Sequence, residues 1–221
     1  IFNYLNSAGS LGLCEPVIGT RSYKMKKGSI PASIIFVHAL DQAIGIEQTN
    51  LNLDVVNLKN LLNSCQIRSG AYSHDQISQE SKPPPVVLNT SAMVGYFYSR
   101  FDDVTSSVHL NEIINYLKSQ QRDDGLWPYC GSRKFDKFVW NTKGILNTKL
   151  IKVYEFIRKD KSIFFGDYLH HVVTLYYLVC ALENKPGLLS SVRHSLQLGL
   201  NFISNNSLAE DNKTLLVYDW E

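Results

Sequence analysis

The feature that most constrains this chain is the alternation of two kinds of helical segment. In one kind, apolar residues recur at steps of three or four. Leu51, Val55, Leu58, Leu62 and Cys65 form such a stripe, with Asn52, Asn57, Lys59, Asn60 and Asn63 on the other side. Val108 to Gln121 repeats it through Leu110, Ile113, Ile114 and Leu117. Leu188 to Ser204 does so through Leu189, Val192, Leu196, Leu200 and Ile203. This spacing predicts amphipathic helices with one wet face. The other kind is apolar nearly all round: Ala32 to Ile46, Val86 to Phe101 and Asp167 to Leu182. A helix apolar on every side is expected to be buried on every side. Two layers of helices account for the alternation, an inner one packed on both sides and an outer one facing water. An irregular bundle around a central helix is the plainer alternative.

The linkers carry a repeat. Leu62-Asn-Ser-Cys-Gln-Ile-Arg-Ser-Gly70-Ala-Tyr72 aligns without a gap on Leu117-Lys-Ser-Gln-Gln-Arg-Asp-Asp-Gly125-Leu-Trp127, at an offset of 55 residues. Tyr4-Leu-Asn-Ser echoes Tyr116-Leu-Lys-Ser. Such periodicity is the mark of stacked helical hairpins. The glycine permits a left-handed turn at the end of the outer helix. The aromatic two residues later can fold back on that end before the next inner helix begins.

Composition narrows the function classes. The 221 residues are 44% hydrophobic and 19% charged, with net charge +2, which predicts a packed domain and argues against disorder. No basic run supports nucleic-acid binding. No apolar run reaches the roughly 20 residues of a membrane-spanning helix. Cys14, Cys65, Cys130 and Cys180 form no Cys-x-x-Cys pair, so neither a zinc ribbon nor a disulfide framework is indicated. No Gly-rich phosphate-cradling loop is present and no cofactor is expected. No signal peptide is visible, and the compartment stays open with the cytoplasm as the expectation. The whole of residues 1–221 reads as one domain, interrupted at about 130–166 by a long aromatic and basic insertion, within which Ile145 to Ile157 could hold a helix. A lid or substrate wall is one role for it, a packing excursion the other.

Gln120-Gln121-Arg-Asp-Asp124-Gly125-Leu-Trp127-Pro-Tyr129 resembles the Gln…Asp-Gly-x-Trp turn of the α/α-toroid superfamily, which includes terpenoid cyclases and protein prenyltransferase β subunits. Asp167-Tyr-Leu-His170 is similar to the Asp-x-Phe/Tyr-His opening of an inner helix there, and bacterial polysaccharide-associated toroid proteins carry a like pairing. The resemblance covers about Asn111 to Leu182. It implies an all-α fold, an α/α toroid, here a partial ring of helical hairpins because six or seven helices fall short of the roughly 12 of a full one. A homo-oligomer or a partner chain completing the ring is then an expectation. The Asp-x-Cys zinc pair of prenyltransferases is absent, as are the Asp-x-Asp-Asp acid motif and Asp-Asp-x-x-Asp. No metal site is therefore expected, although Cys130 and Cys180 could approach His170.

The candidate catalytic residues are His170, Asp167 and Asp124. Imidazole suits acid–base chemistry near neutral pH, and Asp167, three residues earlier, can orient His170 or simply cap the helix. Asp124 sits in a turn that is often structural in toroids. The candidate substrate-binding residues are Trp127, Tyr129, His74, Tyr96 and Tyr177. Trp127 and Tyr129 could stack on a sugar ring or lock the turn. His74 lies in the loop after Tyr72, at the position matching Pro128 in the repeat, and with Asp75 could face the same cavity mouth as His170. Tyr96 and Tyr177 lie on inner helices, where aromatics line a toroid's cavity or form core. His38 and Asp41 read as a core pair. These residues suggest a toroid enzyme acting on a carbohydrate or lipid-linked sugar by acid/base chemistry, of hydrolase, lyase or epimerase type. The alternatives are a non-catalytic scaffold that completes a toroid with a partner, and an isoprenoid cyclase or prenyltransferase-like protein.

Overall fold

The computed structural model describes residues 29–44, 55–74, 86–129 and 168–206. Among these, six α-helices dominate: α1 (Ile30–Ile44), α2 (Val55–Ser64), α3 (Leu88–Ser99), α4 (Val104–Gln120), α5 (Tyr168–Asn184) and α6 (Leu189–Asn206). A two-stranded antiparallel hairpin, β1 (Gln66–Arg68) with β2 (Ala71–Tyr72), follows α2. The all-helical expectation therefore holds. The insertion at 130–166, Cys130 and Asp167 lie outside the described residues.

Helix α3 packs on α1, α4 and most extensively on α5, while α6 packs on α5 and α4. Every residue of α3 is buried. That matches its continuous apolar sequence, because α3 has a neighbour on each side. The same expectation fails for α1 and α5. Ile35, Leu169, Tyr176 and Val179 are exposed, so neither helix is enclosed all round. The amphipathic expectation holds for α4, which buries Leu110, Ile113, Ile114 and Leu117 and leaves Asn111 and Asn115 in water.

Helix α4 begins at Val104, one turn before the expected Val108, because Asp103 caps it. Its carboxylate accepts the Ser106 backbone N–H at 2.8 Å and the Ser106 hydroxyl at 2.7 Å, with Lys59 3.2 Å away. Those hydrogen bonds from Ser106, helped by Lys59, hold the Asp103 carboxyl down at about 2. At the C-terminal ends of α3 and α5, Asn184 Nδ2 donates to Ser99 Oγ at 2.9 Å, tying α5 to α3.

The repeat has a structural counterpart. Gly70 and Gly125 both adopt left-handed backbone, with φ of 71° and 95°. Each also lies against a later helix, Gly70 against α4 and Gly125 against α6. A Cβ on Gly70 would fall 2.3 Å from the Glu112 carbonyl oxygen of α4, and one on Gly125 would fall 2.1 Å from the Leu198 carbonyl oxygen of α6. Both turns thus need glycine twice over, for torsion and for space. The loops that follow bond the first residues of α1 and α3 in the same way. The Ile30 N–H donates to the His74 carbonyl at 3.1 Å, and the Leu88 N–H donates to the Tyr129 carbonyl at 3.0 Å. His74 is therefore the counterpart of Tyr129, the residue at the 55-residue offset itself, and not of Pro128.

Candidate functional site

The side-chain chemistry concentrates where the loops after α2 and α4 meet the first turns of α3 and α5. Two equivalent hydrogen bonds organise this end. The Tyr72 backbone N–H donates to Ser91 Oγ at 3.1 Å. The Trp127 N–H donates to His171 Nδ1 at 3.0 Å. Ser91 and His171 therefore hold the same position on α3 and α5. One residue earlier stand Thr90 and His170, and these face the counterpart residues of the two loops. Thr90 Oγ1 lies 2.6 Å from His74 Nδ1, and the His170 ring lies 4.2 Å from the Tyr129 ring, centroid to centroid.

A further bond joins the two pairs: His74 Nε2 and Tyr129 Oη are 2.9 Å apart. Thr90, His74, Tyr129 and His170 thus form one continuous chain, built from two loops and two helices. Burial, reinforced by the neighbouring His170, pushes the His74 imidazole down from 6.5 to about 4. His74 is accordingly neutral at physiological pH. Tyr129 and His170 are only partly buried, so the chain runs from the core toward water.

Directly beneath it lies a structural lock. His171 is fully buried, accepts from Trp127 at Nδ1 and places Nε2 3.1 Å from the Gly199 carbonyl of α6. Since Nδ1 accepts, Nε2 carries the proton and donates to Gly199. The Trp127 ring is fully buried, stacks on His171 and donates from Nε1 to the Leu117 carbonyl at 3.0 Å. Trp127 thus occupies the turn-locking position, with its ring inside the protein. Gln121 adds two bonds from Nε2, to the Gly125 carbonyl at 2.9 Å and the Ser195 carbonyl at 2.8 Å. The Asp124 carboxylate is exposed and turned back on its own loop, 2.5 Å from Arg122 Nη2 and accepting the Leu126 N–H at 3.2 Å. It does not join the chain.

Tyr96 and Tyr177 are brought together elsewhere, six residues along α3 and α5 from the Thr90 to His171 level, or about 9 Å at the helical rise. They surround His38 of α1, with ring centroids at 4.9 Å and 5.7 Å, and His38 Nε2 lies 2.7 Å from the Tyr176 hydroxyl. Burial pushes the Tyr177 phenol up to about 12 and raises the Cys180 thiol, so both stay protonated and inert near neutral pH. The sequence had suggested Asp41 as the partner of His38; the Asp41 side chain lies outside the described residues.

Thr90 was not singled out from the sequence. The signal for Thr90 was present but weak: the offset that pairs Tyr72 with Trp127 also pairs His74 with Tyr129, and Thr90 follows from their partners only once the inner helices are superposed. Among the described residues, no group of three or more His, Cys, Asp or Glu side chains is placed to hold a metal ion. No helix among them is long and apolar enough to cross a membrane. No family model matches the chain, and no match emerged from comparison with curated proteins or with solved structures.

Proposed function

We propose that this protein is a toroid-type enzyme that performs acid/base chemistry on a carbohydrate or lipid-linked sugar, as a hydrolase, lyase or epimerase. The observation that carries the reading is the chain from His74 through Tyr129 to His170 at the mouth of the inner helices. It puts a phenol and an imidazole in contact at a partly exposed position, with a neutral imidazole behind them. Such a pair can give a proton to one atom of a bound ligand and take one from another. Alternating inner and outer helices, and the Gly-turn repeated at Gly70 and Gly125, support the toroid. The carbohydrate class rests on the resemblance of the Asp124-Gly125-Leu-Trp127 turn and the Asp167-Tyr-Leu-His170 opening.

The test is turnover of a panel of uronate-containing and lipid-linked oligosaccharides, followed by mass spectrometry in heavy water. Wild-type protein should cleave a glycosidic bond or exchange a carbon-bound hydrogen. His170→Gln and Tyr129→Phe should each lower that rate about 100-fold or more. Turnover that survives both substitutions overturns the reading.

A second reading has its own observation. Ile35, Leu169, Tyr176 and Val179 leave apolar surface open on α1 and α5, as an incomplete ring awaiting a partner chain would. A light-scattering mass of one chain at high concentration, together with turnover, would set that scaffold reading aside.

A further inference from the structure

Thr90 is fully buried in the first turn of α3. A helical threonine often hands its hydroxyl proton to the carbonyl three or four residues back. Thr90 does not: among the described residues, the sole partner of its Oγ1 is His74 Nδ1, at 2.6 Å. Were Nδ1 protonated, it would donate to Oγ1 and strand the hydroxyl proton in a buried place, which carries a desolvation penalty. The hydroxyl is therefore the donor and Nδ1 the acceptor. A neutral imidazole has one N–H, so the proton sits on Nε2, which faces Tyr129 Oη at 2.9 Å.

We propose that Thr90 is a positioning residue: its hydroxyl fixes His74 as the Nε2–H tautomer, so that His74 donates to the phenol oxygen of Tyr129. The phenol proton is then directed away from His74. When Tyr129 acts as an acid, its O–H bond breaks, the proton passes to the substrate and the electron pair stays on Oη, facing the Nε2–H donor. A proton from solvent restores the phenol. The catalytic consequence rests on the acid/base reading above, while the tautomer stands on the local geometry. The neutrality of His74 at physiological pH supports it.

Nitrogen NMR on the intact protein with isotope-labelled histidine tests this without a substrate, the His74 signals being identified by their loss in His74→Gln. Wild-type His74 should be the Nε2–H tautomer. Thr90→Val should lower the tautomer ratio about tenfold, the order of one buried hydrogen bond, and Thr90→Ser should restore it. Tyr129→Phe should leave it in place, because Thr90 sets it. An Nδ1–H tautomer in the wild type, or an unchanged ratio in Thr90→Val, overturns the proposal. Should Thr90→Val not fold, the wild-type and Thr90→Ser spectra decide. The expected tautomer combined with turnover indifferent to Tyr129→Phe would keep Thr90's control of His74 and remove only the acid/base reading.

Discussion

Tyr72 and Trp127 enter equivalent turns, yet a serine holds the first and a histidine the second. Ser91 Oγ accepts the Tyr72 N–H and donates onward to the Val87 carbonyl of its own helix. His171 is long enough to accept from Trp127 and also reach the Gly199 carbonyl of α6, so it ties a loop, an inner helix and an outer helix together. The larger Trp127 ring needs room, and Gly199 provides it: a Cβ there would stand 2.8 Å from the ring. The corresponding residue of α4, next after the one beneath the turn glycine, is Ile113. One residue before each lock the same substitution of size recurs, Thr90 against His170. The repeat therefore conserves where the backbone is held and varies what does the holding. The variable positions are where chemistry can enter.

Changes at the two glycines should have the largest effect, and they test whether the turns are equivalent. Gly125→Ala and Gly70→Ala each force a Cβ onto a helix carbonyl in left-handed backbone, which should cost about 3 kcal/mol or more. Denaturant midpoints check this. Tolerance at one glycine alone would break the equivalence.

The adjacent histidines sharpen the contrast between the buried lock and the partly exposed chain. His171→Leu leaves the Trp127 N–H without its acceptor inside the protein and should cost about 2–4 kcal/mol. His170→Gln, at a half-buried position, should cost under about 1 kcal/mol. Equal losses in thermal or urea unfolding would erase the distinction between the two roles.

The remaining test is a pH dependence. The His74 imidazole titrates near 4 in the folded protein against 6.5 when unfolded. Protons then bind the unfolded chain more readily across that window. The stability due to neutral His74 is present above 6.5 and is lost as pH falls toward 4, by at most about 3 kcal/mol. His74→Gln should flatten this part of a stability–pH curve. An unchanged slope would mean that His74 is not held neutral by its surroundings.

Much of the architecture was legible in the chain. Leu110, Ile113 and Leu117 announced a one-faced helix, and the paired Gly-x-aromatic turns announced the repeat, because helical periodicity and left-handed glycine are local properties. The early start of α4 was missed because a cap depends on which side chain the next residues can reach. The exposure of Tyr176 and Val179 was missed for a different reason: apolar composition states what a helix can bury, not how many neighbours it meets.

By itself the sequence determined the helical class, the one-faced character of α4 and the two glycine turns. Only tertiary structure decided that His171 locks the turn while His170, partly exposed, lies against Tyr129. The two are neighbours in sequence, but one helical step turns them about 100° apart, so they meet different elements. Only tertiary structure, too, joined Thr90 to His74 and His74 to Tyr129, because each contact spans 16 or 55 residues and exists only once α3 and α5 stand side by side.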